Sequence, residues 1–261
     1  MIHKLHHDPR QCFLGRRAVK KDPRTFRLAK YISPTVLPRA PLACDWAKGV
    51  GDFGGVMLND REGCCTASGA GHAEMILNAQ AGHPVTIPDQ AVQGMYVAVT
   101  GQEGSAFDPK TGDNDNGCNE LDVLKYWRNT GIGGHQIDAF ASVEPAAHDL
   151  LQAGLWLFGG LYVGVALPIS AQNQDVWHTT GSLTGPNRPG SWGGHCVWLT
   201  ADDADGFTCI TWGQEKRLTW QWWDAYGEEA YVVLSRDWLT AQNVAPSSFN
   251  FDQLQTDLSA L

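Results

Sequence analysis

The sequence predicts an α+β fold in which a mainly helical first half precedes a mainly β second half. Small and apolar residues recur at helical spacing early in the chain, whereas short strand-like apolar runs dominate the later part. Predicted helices cover residues 65–79, 89–99, 121–129 and 145–152, and predicted strands cover 161–167, 195–200, 207–212 and 230–234. A cleft at the junction of two such halves is the natural place for a functional site.

The composition is that of a globular protein with a substantial core. The chain has 261 residues, of which 43% are hydrophobic, enough for one large domain or two subdomains around a shared cleft. No apolar run approaches the roughly 18–20 residues that a membrane span requires, and the first thirty residues lack the apolar stretch of a secretory signal. We therefore expect neither a membrane partner nor export.

The cysteine pattern argues against a disulfide framework. The seven cysteines are odd in number and include the adjacent pair Cys64 and Cys65. Reduced thiols are typical of reducing compartments. We therefore expect a cytoplasmic protein.

Charge divides the chain into a basic arm and an acidic body. Ten of the 19 Lys and Arg residues lie in residues 1–40, where the only acidic residues are Asp8 and Asp22. Such an arm can dock on its own body, on an acidic protein or assembly partner, or on nucleic acid. Because the rest of the chain is acidic, we do not expect the body itself to bind nucleic acid.

The distribution of charge and of predicted secondary structure along the chain gives the predicted domain organisation. Prolines close the basic arm, and the loop-rich helical part gives way to strand-like runs after residue 138. The predicted units are a basic N-terminal arm at 1–40, a helical subdomain at 41–138, a β-rich subdomain at 139–240 and a C-terminal tail at 241–261.

Cys65 stands where a helix is predicted to begin. A thiol in the first helical turn feels the positive end of the helix dipole, which lowers its pKa and favours the nucleophilic thiolate. Gly63 allows a tight turn just before it, and the Asn59 amide can fold back to share an oxyanion site with the Cys65 backbone N–H. The alternative is a cysteine that only packs in the core.

His195 opens an apolar strand 130 residues after Cys65. A thiolate nucleophile needs an imidazole to exchange its proton and to protonate the leaving group, and a strand start can face a helix start across a cleft. The alternative is a structural histidine with satisfied hydrogen bonds.

An ordered series of motifs resembles the papain-like cysteine peptidases. The correspondence covers about residues 44–236, and the spacing from cysteine to histidine matches as well. The motifs are Asp45-Trp46, the block 59–67, Gly117-Cys118-Asn119, Gly131-Ile132, the strand 159–166, His195-Cys196-Val197, Thr211-Trp212-Gly213 and the block 226–231.

The resemblance implies a papain-like fold, with a helical subdomain followed by a β-barrel-like subdomain and the active-site cleft between them. It aligns Cys65 with the nucleophile, His195 with the base and Asn59 with the oxyanion glutamine. The implied activity is a cysteine peptidase or related amide hydrolase that forms an acyl-enzyme on a peptide or protein substrate.

The chain departs from the family where an asparagine orients the histidine ring. Counting back from Trp212-Gly213 places Ile210 at that position, whereas counting forward from His195 places Thr211 there. Isoleucine cannot accept the imidazole N–H, but the Thr211 hydroxyl can if the strand bulges by one residue. Glu62 also replaces a cysteine of the family's disulfide, which leaves Cys118 unpaired.

A second hypothesis follows from these departures. The chain also resembles papain-like proteins found among bacteriophage genes, so it can be a weakly active or inactive scaffold in a phage particle or other assembly, incorporated in a virion. We expect no cofactor, because no phosphate-binding glycine loop precedes a helix. We expect no metal either, since no Cys or His residues show ligand spacing.

Overall fold

The computed structural model describes residues 12–31, 40–239 and 245–247. Most of the predicted C-terminal tail, and the arm residues 1–11 and 32–39, lie outside these described residues. Within the described residues, no helix has the length and apolar character needed to cross a membrane.

Helices occupy both halves of the chain, with the longest ones in the first. Their bounds are α1 Leu28–Tyr31, α2 Cys65–Gln80, α3 Asp89–Gln102, α4 Glu120–Asn129, α5 His148–Phe158 and α6 Trp220–Tyr226. The predicted helices at 65–79, 89–99 and 121–129 are confirmed, each to within three residues. The helix predicted at 145–152 instead runs from His148 to Phe158 and ends at Gly159, whose φ of 81° is left-handed.

Strands dominate the second half, as predicted. Their bounds are β1 Phe26–Arg27, β2 Cys44–Asp45, β3 Ile137–Val143, β4 Leu161–Leu167, β5 Val176–Trp177, β6 Gly193–Asp202, β7 Gly206–Thr211, β8 Gln214–Thr219 and β9 Gly227–Ser235. The four predicted strands correspond to β4, β6, β7 and β9. The sequence did not indicate β8, because its side chains are mostly polar and lack the apolar pattern of a strand. Its backbone pairing with β7 stabilises it as a strand.

One mixed sheet joins these strands in the order β1-β3-β9-β4-β6-β7-β8-β5, with β2 paired to β6. The ladder places β4 and β6 at the centre, where burial on both faces explains the continuous apolar sequence of β4 and the apolar middle of β6, residues 196–199. The basic arm contributes β1, which pairs in parallel with β3. The α+β class is confirmed, while the barrel-like form stays a prediction, since the pairing order does not close on itself.

Helix α2 packs across the central strands and is buried from Cys65 to Asn78. Small side chains allow this close approach. A Cβ added at Gly69 would lie 3.2 Å from the Cys196 Sγ of β6 and 3.3 Å from the ring of Tyr162 on β4. The start of α2 is therefore fixed against the start of β6, which brings the two predicted catalytic regions to one place.

Candidate active site

Cys65 is the first residue of α2, and it is 1% exposed. The preceding thiol, that of Cys64, points elsewhere. Cys64 Sγ lies 3.5 Å from the Met57 carbonyl and 3.4 Å from Ser68 Oγ, in the core. Of the adjacent pair, Cys65 is the one that faces β6.

The thiol of Cys65 is not activated in this structure, contrary to the expectation from the helix dipole. Burial raises the pKa of Cys65 to about 11, although the backbone N–H groups of Cys196 and Gly15 and the Arg16 guanidinium oppose the rise. The cost of burying a thiolate exceeds the benefit of the helix N-terminus. These neighbours also locate the thiol beside the residue that follows His195.

His195 lies at the start of β6 with its ring held on two sides. Its Nε2 lies 2.7 Å from Thr211 Oγ1, and its ring stacks on the Trp212 indole with a centroid distance of 4.4 Å and an interplanar angle of 17°. Its Nδ1 is buried and has no hydrogen-bond partner within the described residues, the Cys65 thiol included. Burial, aided by the charges of Arg16 and His72, lowers the pKa of His195 to about 3. The imidazole is therefore neutral.

Thr211, and not Ile210, contacts the histidine ring. Ile210 is fully buried and pairs with Trp198 across the β6–β7 ladder. That ladder shifts register between Leu199 and Ala201, the kind of one-residue bulge that the sequence count required. The contact agrees with the predicted neighbour of His195, whose role in orienting the ring stays a prediction.

The turn after β7 explains why Trp212 stacks on His195. Trp212 and Gly213 both have positive φ, 47° and 72°, in the two-residue connection to β8. Such a connection matches the twist of the strands. It directs the indole back over the ring of His195.

Asn59 lies close to the Cys65 turn, with its amide partly engaged. Its Nδ2 donates to the Glu62 carbonyl at 3.0 Å, and its own backbone carbonyl accepts the Phe13 N–H at 3.0 Å. An amide nitrogen carries two N–H bonds, so one remains for another acceptor. The predicted oxyanion role of Asn59 is compatible with this arrangement but stays a prediction.

Residues 13–17 of the basic arm, which we call the covering segment, run past Cys65. On one side, the Cys118 N–H donates to the Gly15 carbonyl at 2.8 Å and the Arg17 N–H donates to the Cys118 carbonyl at 2.9 Å. On the other side, the Arg16 N–H donates to the Gly194 carbonyl at 3.2 Å. The segment therefore bridges the loop before α4 and the start of β6.

Gly15 allows the covering segment to approach the turn before the nucleophile. A Cβ at Gly15 would collide with the backbone of Gly63. The turn is itself anchored, because both carboxylate oxygens of Asp115 accept the Gly63 N–H and Tyr96 Oη donates to the same carboxylate at 2.5 Å. The covering segment therefore packs against a turn that hydrogen bonds hold in place.

The Arg16 side chain enters a buried acidic pocket beside Cys65. Its Nη1 donates to Glu229 at 2.8 Å, and its Nη2 pairs with Glu228. Glu120 also belongs to this pocket, and the three carboxylates raise the pKa of Arg16 although burial opposes it. Arg16 is therefore a cation enclosed by acidic groups.

Ion pairs also hold the described arm on the body. Arg17 pairs with Glu103, and Lys20 pairs with Asp122 at 2.7 Å. Of the docking modes open to a basic arm, self-docking is the one that residues 12–31 adopt.

One cluster in the described part of the chain has the spacing of a cation site. Ligand atoms of Glu74, His135 and Asp237 lie within 4.8 Å of one another. Protein groups already engage these atoms, since Trp127 Nε1 donates to Glu74 at 2.7 Å and His135 Nδ1 lies 2.7 Å from Asp237. Hydrogen bonds within the protein therefore account for the cluster. The sequence did not indicate it, because its three residues lie far apart in the chain.

Sequence reasoning missed Arg16, Glu120 and Asp115 as neighbours of the site. The basic character of the arm was visible, but the carboxylates that receive Arg16 lie more than one hundred residues away in the chain. Asp115 sits in a polar loop whose composition indicated only a turn. The available signal of close backbone approach was the glycine before each of two cysteines, Gly63 before Cys64 and Gly117 before Cys118.

The fold is similar to those of solved cysteine proteases. Xylellain, a cysteine protease from Xylella fastidiosa, aligns with a TM-score of 0.66 and 16% identity over 89% of this chain and 99% of its own. Procathepsin B S9 from Trypanosoma congolense gives a TM-score of 0.57 and 10% identity over 87% and 88%. The ragweed pollen allergen Amb a 11, a cysteine protease in its proform, gives 0.53 and 14% over 77% and 67%.

The sequence itself matches no protein-family model and no curated protein. The fold is nevertheless that of the papain-like cysteine proteases, as the motif series predicted. At these identities, the likeness concerns the fold alone.

Proposed function

We propose that this protein is a thiol hydrolase of the cysteine peptidase type, with Cys65 as nucleophile and His195 as base. The observation that carries the proposal is the placement of the Cys65 thiol, at the start of α2, beside the start of β6. There His195 is hydrogen-bonded through Nε2, and its Nδ1 has no partner among the described residues. The likeness to three cysteine proteases supports the same class of chemistry.

The neutral tautomer that this geometry favours carries its proton on Nε2. Thr211 Oγ1 accepts that proton in a hydrogen bond, which leaves Nδ1 as the base for the Cys65 thiol. The thiolate then attacks the substrate carbonyl carbon, and a C–S bond forms. As the C–N bond breaks, His195 returns the proton to the departing amine, and water subsequently hydrolyses the thioester.

The developing oxyanion needs donors near the nucleophile. In this proposal, they are the Cys65 backbone N–H in the first turn of α2 and the Asn59 N–H that does not bind the Glu62 carbonyl. Two such donors in a buried site stabilise the transition state more than they would in water.

The described state is latent in this proposal, because the covering segment occupies the cleft. Gly15 and Arg16 lie against Cys65, whose pKa is raised to about 11 by burial. In this proposal, the predicted subdomains at 41–138 and 139–240 are the two walls of the active-site cleft, and the covering segment must move before a substrate carbonyl reaches the thiol.

The scaffold hypothesis receives less support. Each of the three similar structures is a protease or its precursor form. Neither the bacteriophage source nor a place in a virion gains support from them.

Selective labelling of Cys65 tests the proposal. The native chain and its Arg16→Ala variant are incubated with the thiol-directed epoxide E-64 at neutral pH, and the modified residue is located by peptide mapping. We expect labelling at Cys65 and not at Cys64, faster in the variant. Adding His195→Ala to the variant should slow the labelling by about 100-fold or more, because the base is lost.

Equal labelling of all seven thiols only after denaturation would contradict the proposal. Cys209, buried far along β7, serves as the internal reference for a thiol that reacts only when the chain unfolds.

A further inference from the structure

The pocket that receives Arg16 contains more carboxyl groups than its occupant pairs with. Burial raises the pKa of Glu120 well above its usual range and also raises that of Glu229, and the Arg16 cation opposes both rises. Glu120, Glu228 and Glu229 face a single guanidinium. Glu120 is 1% exposed, and within the described chain neither of its carboxylate oxygens accepts a hydrogen bond from nitrogen or oxygen, so that only the weak thiol donor of Cys196 is near. A buried carboxylate without a partner is costly, and a pocket that contains one favours a cationic occupant.

The floor of the pocket is shaped for a long side chain. Gly164 of β4 lies beneath the Arg16 stem, and a Cβ added there would lie 2.7 Å from Arg16 Cδ and 2.8 Å from Glu229 Cγ. Its φ is not in the left-handed region, so the backbone does not require glycine at this position. The absence of a side chain instead leaves room for the occupant.

The covering segment binds through backbone hydrogen bonds to the N–H and carbonyl of Cys118 on one side and to the Gly194 carbonyl on the other. Main-chain contacts of this kind do not depend on the side chains of the bound segment. The position of Gly15 admits only glycine, because a Cβ there would collide with the backbone of Gly63. Selectivity among segments with glycine at that position must therefore come from the pocket.

The pocket also adjoins the reacting groups. Arg16 donates its backbone N–H to the carbonyl of Gly194, the residue before His195, and a Cβ added at Gly194 would lie 3.4 Å from Arg16 Nε. A peptide whose basic side chain fills the pocket is thus held with its backbone beside the thiol.

We propose that the pocket formed by Glu120, Glu228 and Glu229 is the substrate subsite for an arginine or lysine side chain, and that Arg16 occupies it in the latent chain as an internal substitute. This inference rests on the proposed function and adds its substrate class: peptides with a basic residue at one fixed position. Arginine suits the subsite best, since its planar fork donates to two carboxylates at once.

Matched peptides test the inference in the full chain carrying Arg16→Ala, which leaves the pocket free. Fluorogenic peptides differ only in bearing Arg, Lys, norleucine or Glu at one position, and each position is scanned in turn. We expect kcat/KM for Arg and Lys to exceed that for norleucine by about 10-fold or more at a single position, with Glu the poorest.

Removing pocket charge should weaken the preference for basic peptides. Glu228→Gln and Glu229→Gln, each added to Arg16→Ala, are expected to lower the ratio of kcat/KM for the Arg peptide to that for the norleucine peptide several-fold. The Glu228 side chain is 42% exposed, so the Glu228→Gln variant buries no new unpaired polar group and should fold. Glu215→Gln on β8, an exposed acidic position outside the pocket, is the control and should leave the ratio unchanged.

A binding measurement separates subsite occupancy from catalysis. The peptide Phe-Leu-Gly-Arg-Arg-Ala, copied from residues 13–18, should inhibit E-64 labelling of the Arg16→Ala chain when supplied in trans. Replacing its first arginine by alanine should abolish the inhibition, whereas replacing its second should not.

The outcomes distinguish the two proposals. Equal hydrolysis of Arg and norleucine peptides, or equal inhibition by both alanine-substituted peptides, overturns the subsite while Cys65 labelling leaves the hydrolase proposal intact. A chain that cleaves none of the peptides and is not labelled at Cys65 overturns both.

Discussion

At the scale of single residues, the contact between Thr211 and His195 replaces an interaction that the resemblance assigns to an asparagine. The 2.7 Å approach of Oγ1 to Nε2 holds the ring while Trp212 covers its face. A hydroxyl can accept the imidazole N–H as an amide oxygen does. In the proposed function, Thr211 is a positioning residue that acts through His195.

Thr211→Val keeps the shape of the side chain and removes the hydroxyl. In the Arg16→Ala background, we expect kcat to fall by about 10-fold to 100-fold, since the ring loses its preferred tautomer. The pH profile of kcat/KM should shift as well, which a purely structural role would not cause. Thr211→Ser should restore both values; a Ser variant as impaired as the Val variant would contradict the role.

His195 gives a prediction about pH. Burial first, and the Arg16 charge second, lower its pKa to about 3 from 6.5. Because the unfolded state takes up this proton near pH 6.5, the folded state gains stability above that pH, and the gain is lost as pH falls towards 3. Arg16→Ala removes a like charge, so the pKa of His195 should rise.

Imidazole ¹⁵N NMR across pH 3 to 7 measures this titration directly. Arg17→Ala, which removes the neighbouring cation of the covering segment outside the pocket, should leave the pKa of His195 unchanged. An ordinary pKa near 6.5 in the unaltered chain would contradict the buried, latent site.

The sequence supported Cys65, His195 and Thr211 because their positions follow from spacing within motifs. It could not support Arg16 as a neighbour of Glu229, since that pair depends on how two ends of the chain meet in space. It also misjudged the thiol pKa, because a helix terminus is visible in a sequence and the depth of burial is not.

At the scale of elements, the covering segment depends on one glycine. A side chain at Gly15 would collide with the carbonyl of Gly63. Gly15→Val should therefore displace the segment and accelerate Cys65 labelling by about 10-fold, the equivalent of about 1.4 kcal/mol of lost docking energy.

Gly51→Ala is the matched control, since nothing lies within 4 Å of its added Cβ. It should leave the labelling rate unchanged, and Gly15→Val should unfold at a urea concentration lower than that of the control by no more than the loss of about 1.4 kcal/mol requires. Equal labelling of the Gly15→Val variant and the control would show that the segment does not shield the thiol.

Elements with a continuous apolar pattern were predicted well, and those defined by their neighbours were not. β4 appeared at its observed bounds because every residue of it is buried. β1 and β2 have two residues each and exist only through their partners on β3 and β6. The start of α6 also depends on its surroundings, since Thr219 Oγ1 caps it by accepting the Trp222 N–H.

At the scale of the whole molecule, the order of motifs along the chain predicted a papain-like fold, and the observed fold confirms that prediction. α2 from the first half and β6 from the second meet at the cleft, so the motifs at 59–67 and 195–197 become neighbours. The same arrangement brings the basic arm against acidic residues from both halves, Glu103 and Asp122 in the first and Glu229 in the second. If the proposed function holds, latency therefore depends on contacts between the described part of the arm and both halves of the chain, and not on Cys65 and His195 alone.

Trapping the acyl intermediate tests the central claim most directly. The Arg16→Ala chain is mixed with a peptide p-nitrophenyl ester, quenched in acid after one turnover and mapped by mass spectrometry. The account predicts one acyl group per chain, carried as a thioester on Cys65, and its loss in the variant that also carries Cys65→Ser. Unchanged ester hydrolysis in that double variant, or an acyl group on Cys64, would contradict it.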